Sequence, residues 1–154
     1  MRVGMRTLDR SDIAEVVRLG RELHEESRYR DIPFSEAAVI ANLSGLIGQS
    51  NFYGKIVVLG EKIIGLMAGA TTPMYFSEKK AASDLLFFVP KDSRGSMAGV
   101  LLIRDFTRWA FDDPDVVEVQ LGVTTGIDVD KTGQLLRKLG FVCSGHLYTM
   151  GGNA

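Results

Sequence analysis

The sequence predicts a mixed α/β fold, one sheet covered by helices on both faces, and three observations point to it. The apolar period switches between that of strands and that of helices in the order β-α-α-β-β-β-α-β-α-β. Each of the two strand-helix-strand units in the second half needs a crossover, which sets its strands parallel, whereas the hairpin before them is antiparallel. Finally, the 154 residues hold no linker, low-complexity tract or repeat, and suit one domain, 1–154, with a full core.

The elements follow in order. "VGMRTL" opens as a strand. In "RSDIAEVVRLGRELHEES", Ile13, Val16, Val17 and Leu23 fall close to helical spacing, with Ser11 and Asp12 as candidate caps. After the polar "RYRDIP", Ser35 and Glu36 start a second helix that carries Val39, Ile40, Leu43 and Leu46 and stops near Gly48. "FYGKIVVLG" and "KIIGLMAGATT", joined through "GEK", form a hairpin, and "ASDLLFFV" is the strand after it. A helix beginning near Met97 or Ala98 comes next, then a strand in "VVEVQLGV", a helix in "KTGQLLRKL" and a final strand in "FVCSGHLYTM".

Composition limits the partners. With 18 Lys+Arg against 19 Asp+Glu the net charge is -1, so no global field draws the chain to nucleic acid or anionic lipid. The longest apolar runs, "IIGLMAGA" and "AGVLLI", fall short of the ~20 residues that cross a bilayer, so neither nucleic acid nor membrane is expected as a partner. Cys143 is the single cysteine, and the start "MRVGMRTLDR" has arginines where a signal peptide needs an apolar stretch, so a cytoplasmic location is expected. His24 and His146 are far apart and have no second ligand at metal spacing, so no metal is expected.

The stretch "FFVPKDSRGSMAGVLLIRDFTRWA" carries the chemistry. Val89 ends a strand, Pro90 leaves the ladder, and a glycine-containing turn leads into a helix. Helix amino termini expose unpaired N–H groups and partial positive charge, glycines admit a ligand to the backbone, and Arg94 adds a cation, so an anion such as phosphate fits here. Neither the P-loop nor the dinucleotide spacing is present.

"RGSMAG", Arg94 to Gly99, resembles the Arg/Gln-x-x-Gly-x-Gly/Ala pyrophosphate motif of the GNAT superfamily of N-acetyltransferases. "LLRKLGF", residues 135–141, is similar to the Leu-Tyr-x-Lys-x-Gly-Phe of the same family. The resemblance implies a central mixed, mainly antiparallel sheet whose fourth and fifth strands splay apart, with acetyl-CoA in the gap as acyl donor. Its cofactor contacts would then be Phe88, Val89, Arg94, Gly95, Ser96, Met97, Ala98 and Gly99, with a Phe88 or Val89 N–H on the thioester carbonyl. Met97 stands where the motif usually has its central glycine, and Leu136 where many members carry a tyrosine acid.

An amine must lose its proton before attacking a thioester. By strand alternation Asp84, Leu86 and Phe88 share one face, and the resemblance makes Asp84 the candidate base. Tyr148 on the final strand is the candidate acid in place of the missing tyrosine; the bland alternative is a core-edge residue. The acidic segment "ELHEESRYRDIPFSE" lies where the family lines its acceptor pocket, which makes Glu25, Tyr29 and Phe34 candidate substrate contacts and suits a cationic amine, small molecule or protein. Glu25 and Glu26 equally serve to solvate the first helix. A homodimer is open. The alternatives kept are a GNAT-fold protein that only binds acetyl-CoA, a transferase of longer acyl groups, and a nucleic-acid-binding module.

Overall fold

The computed structural model describes residues 2–152. Five strands, β1 (Val3–Thr7), β2 (Phe52–Leu59), β3 (Lys62–Pro73), β4 (Lys80–Phe88) and β5 (Val116–Gln120), pair in chain order into one sheet. All pairs are antiparallel except the parallel β4–β5 pair. Helices α1 (Ile13–Glu26) and α2 (Glu36–Leu46) cover one face, α3 (Ala98–Phe111) covers the other, and α4 (Val129–Lys138) follows β5.

Alternation on the central strands makes two cores. Ile56 and Leu66 join Val16, Leu19 and Leu43 on the α1/α2 side, while Val57 and Met67 join Leu102 and Phe106 on the α3 side. Covered on both faces, β3 reads as the continuous apolar run "IIGLMAGA".

Helix starts match the sequence in one case and move in another. Ser35 Oγ accepts the Ala38 N–H at 3.1 Å, as an N-cap does. At α1 the cap lies earlier: Asp9 accepts the Ser11 N–H at 2.7 Å, and its own N–H donates to Asp12 Oδ2 at 2.9 Å, closing a capping box on a 3-10 turn. Ser11 and Asp12 therefore do not cap α1 with their side chains; Asp12 instead takes both arms of the Arg6 guanidinium at 2.8 Å.

Two expectations fail. In the β3–β4 ladder Ala68 faces Leu86 and Gly69 faces Asp84, so Leu85 is an extra residue, a β-bulge. Because side chains alternate, one extra residue turns Asp84 to the face opposite Leu86 and Phe88, not the same one. Gly69 tolerates this crossing because it lacks a Cβ, which would stand 2.5 Å from Phe106 Cε2 and 2.8 Å from the Ser83 carbonyl oxygen.

The final strand does not form: "FVCSGHLYTM" pairs with nothing among the described residues. A strand needs a neighbouring edge, and the exit from α4 leads elsewhere. Gly140, at φ +98°, closes a Schellman motif in which its N–H reaches Arg137 O and the Phe141 N–H reaches Leu136 O at 3.0 Å, fixing the direction in which the chain leaves. No helix is long and apolar enough to cross a membrane among the described residues.

Candidate functional site

Past β4 the chain makes a 3-10 turn at Lys91–Ser93 and enters α3 at Ala98. Gly95 holds φ +88°, a region that L side chains rarely adopt, and so turns the backbone toward the helix. Met97 sits at φ −76° in ordinary helical space, so methionine in the glycine's place causes no backbone strain, and its side chain is 58% exposed.

Two amides of the turn are occupied, that of Ser96 by Ser93 O and that of Ala98 by Ser96 Oγ. Those of Gly95, Met97 and Gly99 have no partner among the described residues. Val89, the first residue beyond the ladder, likewise keeps an open N–H, whereas Phe88 is buried and paired with Leu66. Open amides at a helix start form a cradle for an anion, and a pyrophosphate fits that donor set.

Arg94 is engaged elsewhere. Its guanidinium forks onto the Glu26 carboxylate at 2.5 and 2.6 Å, and its Nε donates to Val89 O at 3.1 Å. Asp128 lies 3.8 Å away, with its own backbone at φ +44°, unusual for a residue other than glycine. The Arg94 hydrogen bonds hold the Glu26 carboxyl below the usual range. Glu26 is the site residue that sequence reasoning missed: it precedes Arg94 by 68 positions in a run of helix-surface acids, and nothing local distinguishes it from Glu25.

Asp84 lies just past the end of the β4–β5 ladder. The β4–β5 ladder ends at Ser83 opposite Gln120, and one residue later Asp84 Oδ1 accepts the Gly122 N–H at 3.2 Å. Burial raises the carboxyl's pKa, opposed by the hydrogen bond from Gly122. A half-buried carboxylate with an elevated pKa, at the end of a strand ladder, is suited to accepting a proton.

A cleft of about 550 Å³ between α1 and the β4–α3 turn is lined by Glu22, Glu25 and Glu26, with Lys62, Phe88 and Lys91 opposite. Of the candidate acceptor contacts only Glu25 lines it. Tyr29 is held outside by Arg28, whose Nη2 donates to its hydroxyl at 2.7 Å, and Phe34 packs on His24 and under Arg21. Arg28 also ties this connection to the segment after β5, its N–H to Thr125 O at 2.8 Å and its Nε to Thr124 O at 2.6 Å. Tyr148 is 88% exposed on the unpaired segment, beside His146, and does not line the cleft.

No family model matches this chain, and no curated protein does. Solved structures do. A transcriptional regulator from Bacillus halodurans C-125 superposes with a TM-score of 0.79 at 17% identity, covering 98% of this chain and 100% of that one. AAC(6')-Iy, in complex with the bisubstrate analogue CoA-S-monomethyl-acetylneamine, gives 0.78 at 13% identity with 100% of both chains covered. A GNAT family acetyltransferase from Staphylococcus aureus gives 0.69 at 16%, covering 98% and 99%. The chain has the GNAT fold, the one common to acetyltransferases of this kind. At such identities the likeness establishes the fold alone.

Proposed function

We propose that this protein is an N-acetyltransferase that moves an acetyl group from acetyl-CoA to a primary amine by direct attack. One observation supports it: the second half of β4 and the turn after it carry, in chain order, the raised-pKa carboxylate of Asp84 at the end of the β4–β5 ladder, the open Val89 amide, and the open amides of Gly95, Met97 and Gly99.

Acetyl-CoA supplies an acetyl group activated as a thioester, with a pyrophosphate whose charge matches the start of α3. Asp84, at the end of the β4–β5 ladder and on the sheet face opposite Phe88, takes the ammonium proton of an amine bound on its own face, directly or through a water, and frees the lone pair for attack. The open Val89 N–H, in this reading, stabilises the carbonyl oxygen as it gains charge. Leu136 has no proton to give, and Tyr148 is 88% exposed on the unpaired segment. A thiol of ordinary pKa, about 8.5, leaves as thiolate at little cost near neutral pH, so a dedicated acid is dispensable.

The Arg94–Glu26 pair favours a second reading, a GNAT-fold protein that binds CoA without turnover, because the cation of the motif is already neutralised. One experiment tests the first and separates the two. Acetyl-CoA in hundredfold excess over its Kd stabilises the fold by about 2.7 kcal/mol, roughly 5–10 °C in Tm, and ATP does not. Thiol release on adding a panel of amines then supports transfer. A shift without thiol release points to the binding protein, and no shift with acetyl-CoA refutes both.

A further inference from the structure

A second cleft, of about 520 Å³, lies between the later part of α3 and the end of α4, and it shares no residue with the turn at Arg94–Gly99 or with the cleft beside α1. Its volume is that of a small-molecule site. The inner lining is apolar: Ile103 is 1% exposed, and Phe111, Leu139 and Phe141 stand around it. The rim is cationic. Arg104, Arg108 and Lys138, all exposed, line it against one acid, Asp112. Arg104 and Lys138 have no ion-pair partner among the described residues. Arg108 has only Asp105, at 3.6 Å, and that carboxylate already takes Lys55 at 2.8 Å and the Tyr53 hydroxyl at 2.9 Å. Cations in the last turn of a helix face its unpaired carbonyls, which accounts for Arg108 and Lys138. It does not account for Arg104, which lies about two turns before Phe111 and one turn before Arg108, where the like charges repel.

We propose that this cleft binds a small amphiphilic anion, a carboxylate on an unbranched apolar chain, at a site separate from that of the acyl donor. Three cations against one carboxylate leave the rim short of negative charge, so an anionic head is favoured and a cationic one opposed. Two guanidiniums one turn apart suit a carboxylate in particular, because each offers a planar fork of N–H donors that matches its two oxygens. The bound anion also removes the repulsion between them. The lining selects the tail. Ile103, Phe111, Leu139 and Phe141 present carbon, and the Thr107 hydroxyl is turned back onto Ile103 O at 2.8 Å, so a polar body would leave its own groups unpaired there and an apolar one would not. Along α3, Arg108 stands about 13 Å from Gly99, which keeps the anion clear of the open amides at the start of the helix. The proposal does not depend on acetyl transfer.

Decanoate, kept below its micelle threshold, is the probe, and amide NMR on the isotope-labelled full chain is the readout. Saturable shifts should appear at residues 103–112 and 138–141 with a midpoint at or below about 1 mM, and their absence overturns the proposal. Decyltrimethylammonium has the same tail with the opposite charge, and acetate has the head without the tail; each should bind roughly tenfold more weakly or worse. A cationic amphiphile that binds as well as decanoate means a merely apolar groove and overturns the proposal. Arg104→Glu with Lys138→Glu should weaken decanoate by roughly tenfold or more while Tm stays within about 2 °C, since both side chains are exposed. Arg104→Gln, a milder change that keeps the helix, should weaken it by roughly threefold or more. Wild-type affinity in either variant overturns the proposal. Saturating CoA should leave the decanoate midpoint unchanged within about twofold; displacement by CoA makes the cleft part of the donor site, and that outcome also overturns the proposal.

Discussion

Glu26→Gln separates the two roles that the Arg94 ion pair can have. The pair has two charge-assisted hydrogen bonds at 2.5 and 2.6 Å, between side chains 25% and 28% exposed. Exposed pairs contribute about 0.2–1 kcal/mol and well-shielded charged hydrogen bonds about 1.5–3, so this intermediate case is worth about 1–2 kcal/mol after solvent screening. Tm should therefore fall by roughly 2–8 °C. Cofactor binding should move the other way. Losing a carboxylate from the mouth of an anion site and freeing the guanidinium gains on the order of 1 kcal/mol, about a fivefold lower Kd for CoA. Calorimetric titration with CoA at physiological salt, paired with urea unfolding, reads both quantities. If Glu26→Gln binds CoA more weakly, the pair shapes the turn and does not compete with the anion, and the reasoning fails. The pH dependence supplies a sign check: Glu26 has a folded pKa below its unfolded value, so its stabilisation is present above about 4.5 and is lost as pH falls through the lowered folded value. The glutamine variant should lack that component of acid sensitivity.

Asp84→Asn should cost about 10²- to 10⁴-fold in kcat with CoA affinity unchanged, and pH–rate profiles should converge with the wild type as the amine's own pKa is approached. The same change should raise Tm at neutral pH: a carboxyl whose folded pKa is raised destabilises the fold once it ionises, so the gain over wild type appears above the unfolded value of about 3.9 and is absent below it in a thermal melt series. Gly69→Ala drives a methyl into the Phe106 ring and the Ser83 carbonyl, and should destabilise by about 1–3 kcal/mol or more in urea titration; unchanged stability would mean that the bulge at Leu85 relaxes freely. Gly95→Ala forces a side chain to φ +88° and should cost about 1–2 kcal/mol and weaken CoA binding, measured by the same titrations.

Local signals decided the elements that the sequence made legible. Ser35 caps α2, the two hairpin strands meet through Gly60, and α3 begins at Ala98 because each depends on residues within one turn of each other. The turn from Arg94 to Gly99 was legible for the same reason, its open amides following from chain geometry at a helix start. Asp84 was legible as a candidate, but its face was not: Leu85 is an extra residue in the ladder opposite Ala68 and Gly69, and strand alternation carries no trace of a bulge. The partnership of Glu26 with Arg94 joins residues that come together only after α1 packs beside the β4–α3 turn. Residues 141–152 have the composition of a strand, yet composition records only a preference for extended backbone. Whether that preference becomes a strand depends on an edge brought within hydrogen-bonding distance, and the Schellman turn at Gly140, together with whatever surface lies along the exit it sets, decides that.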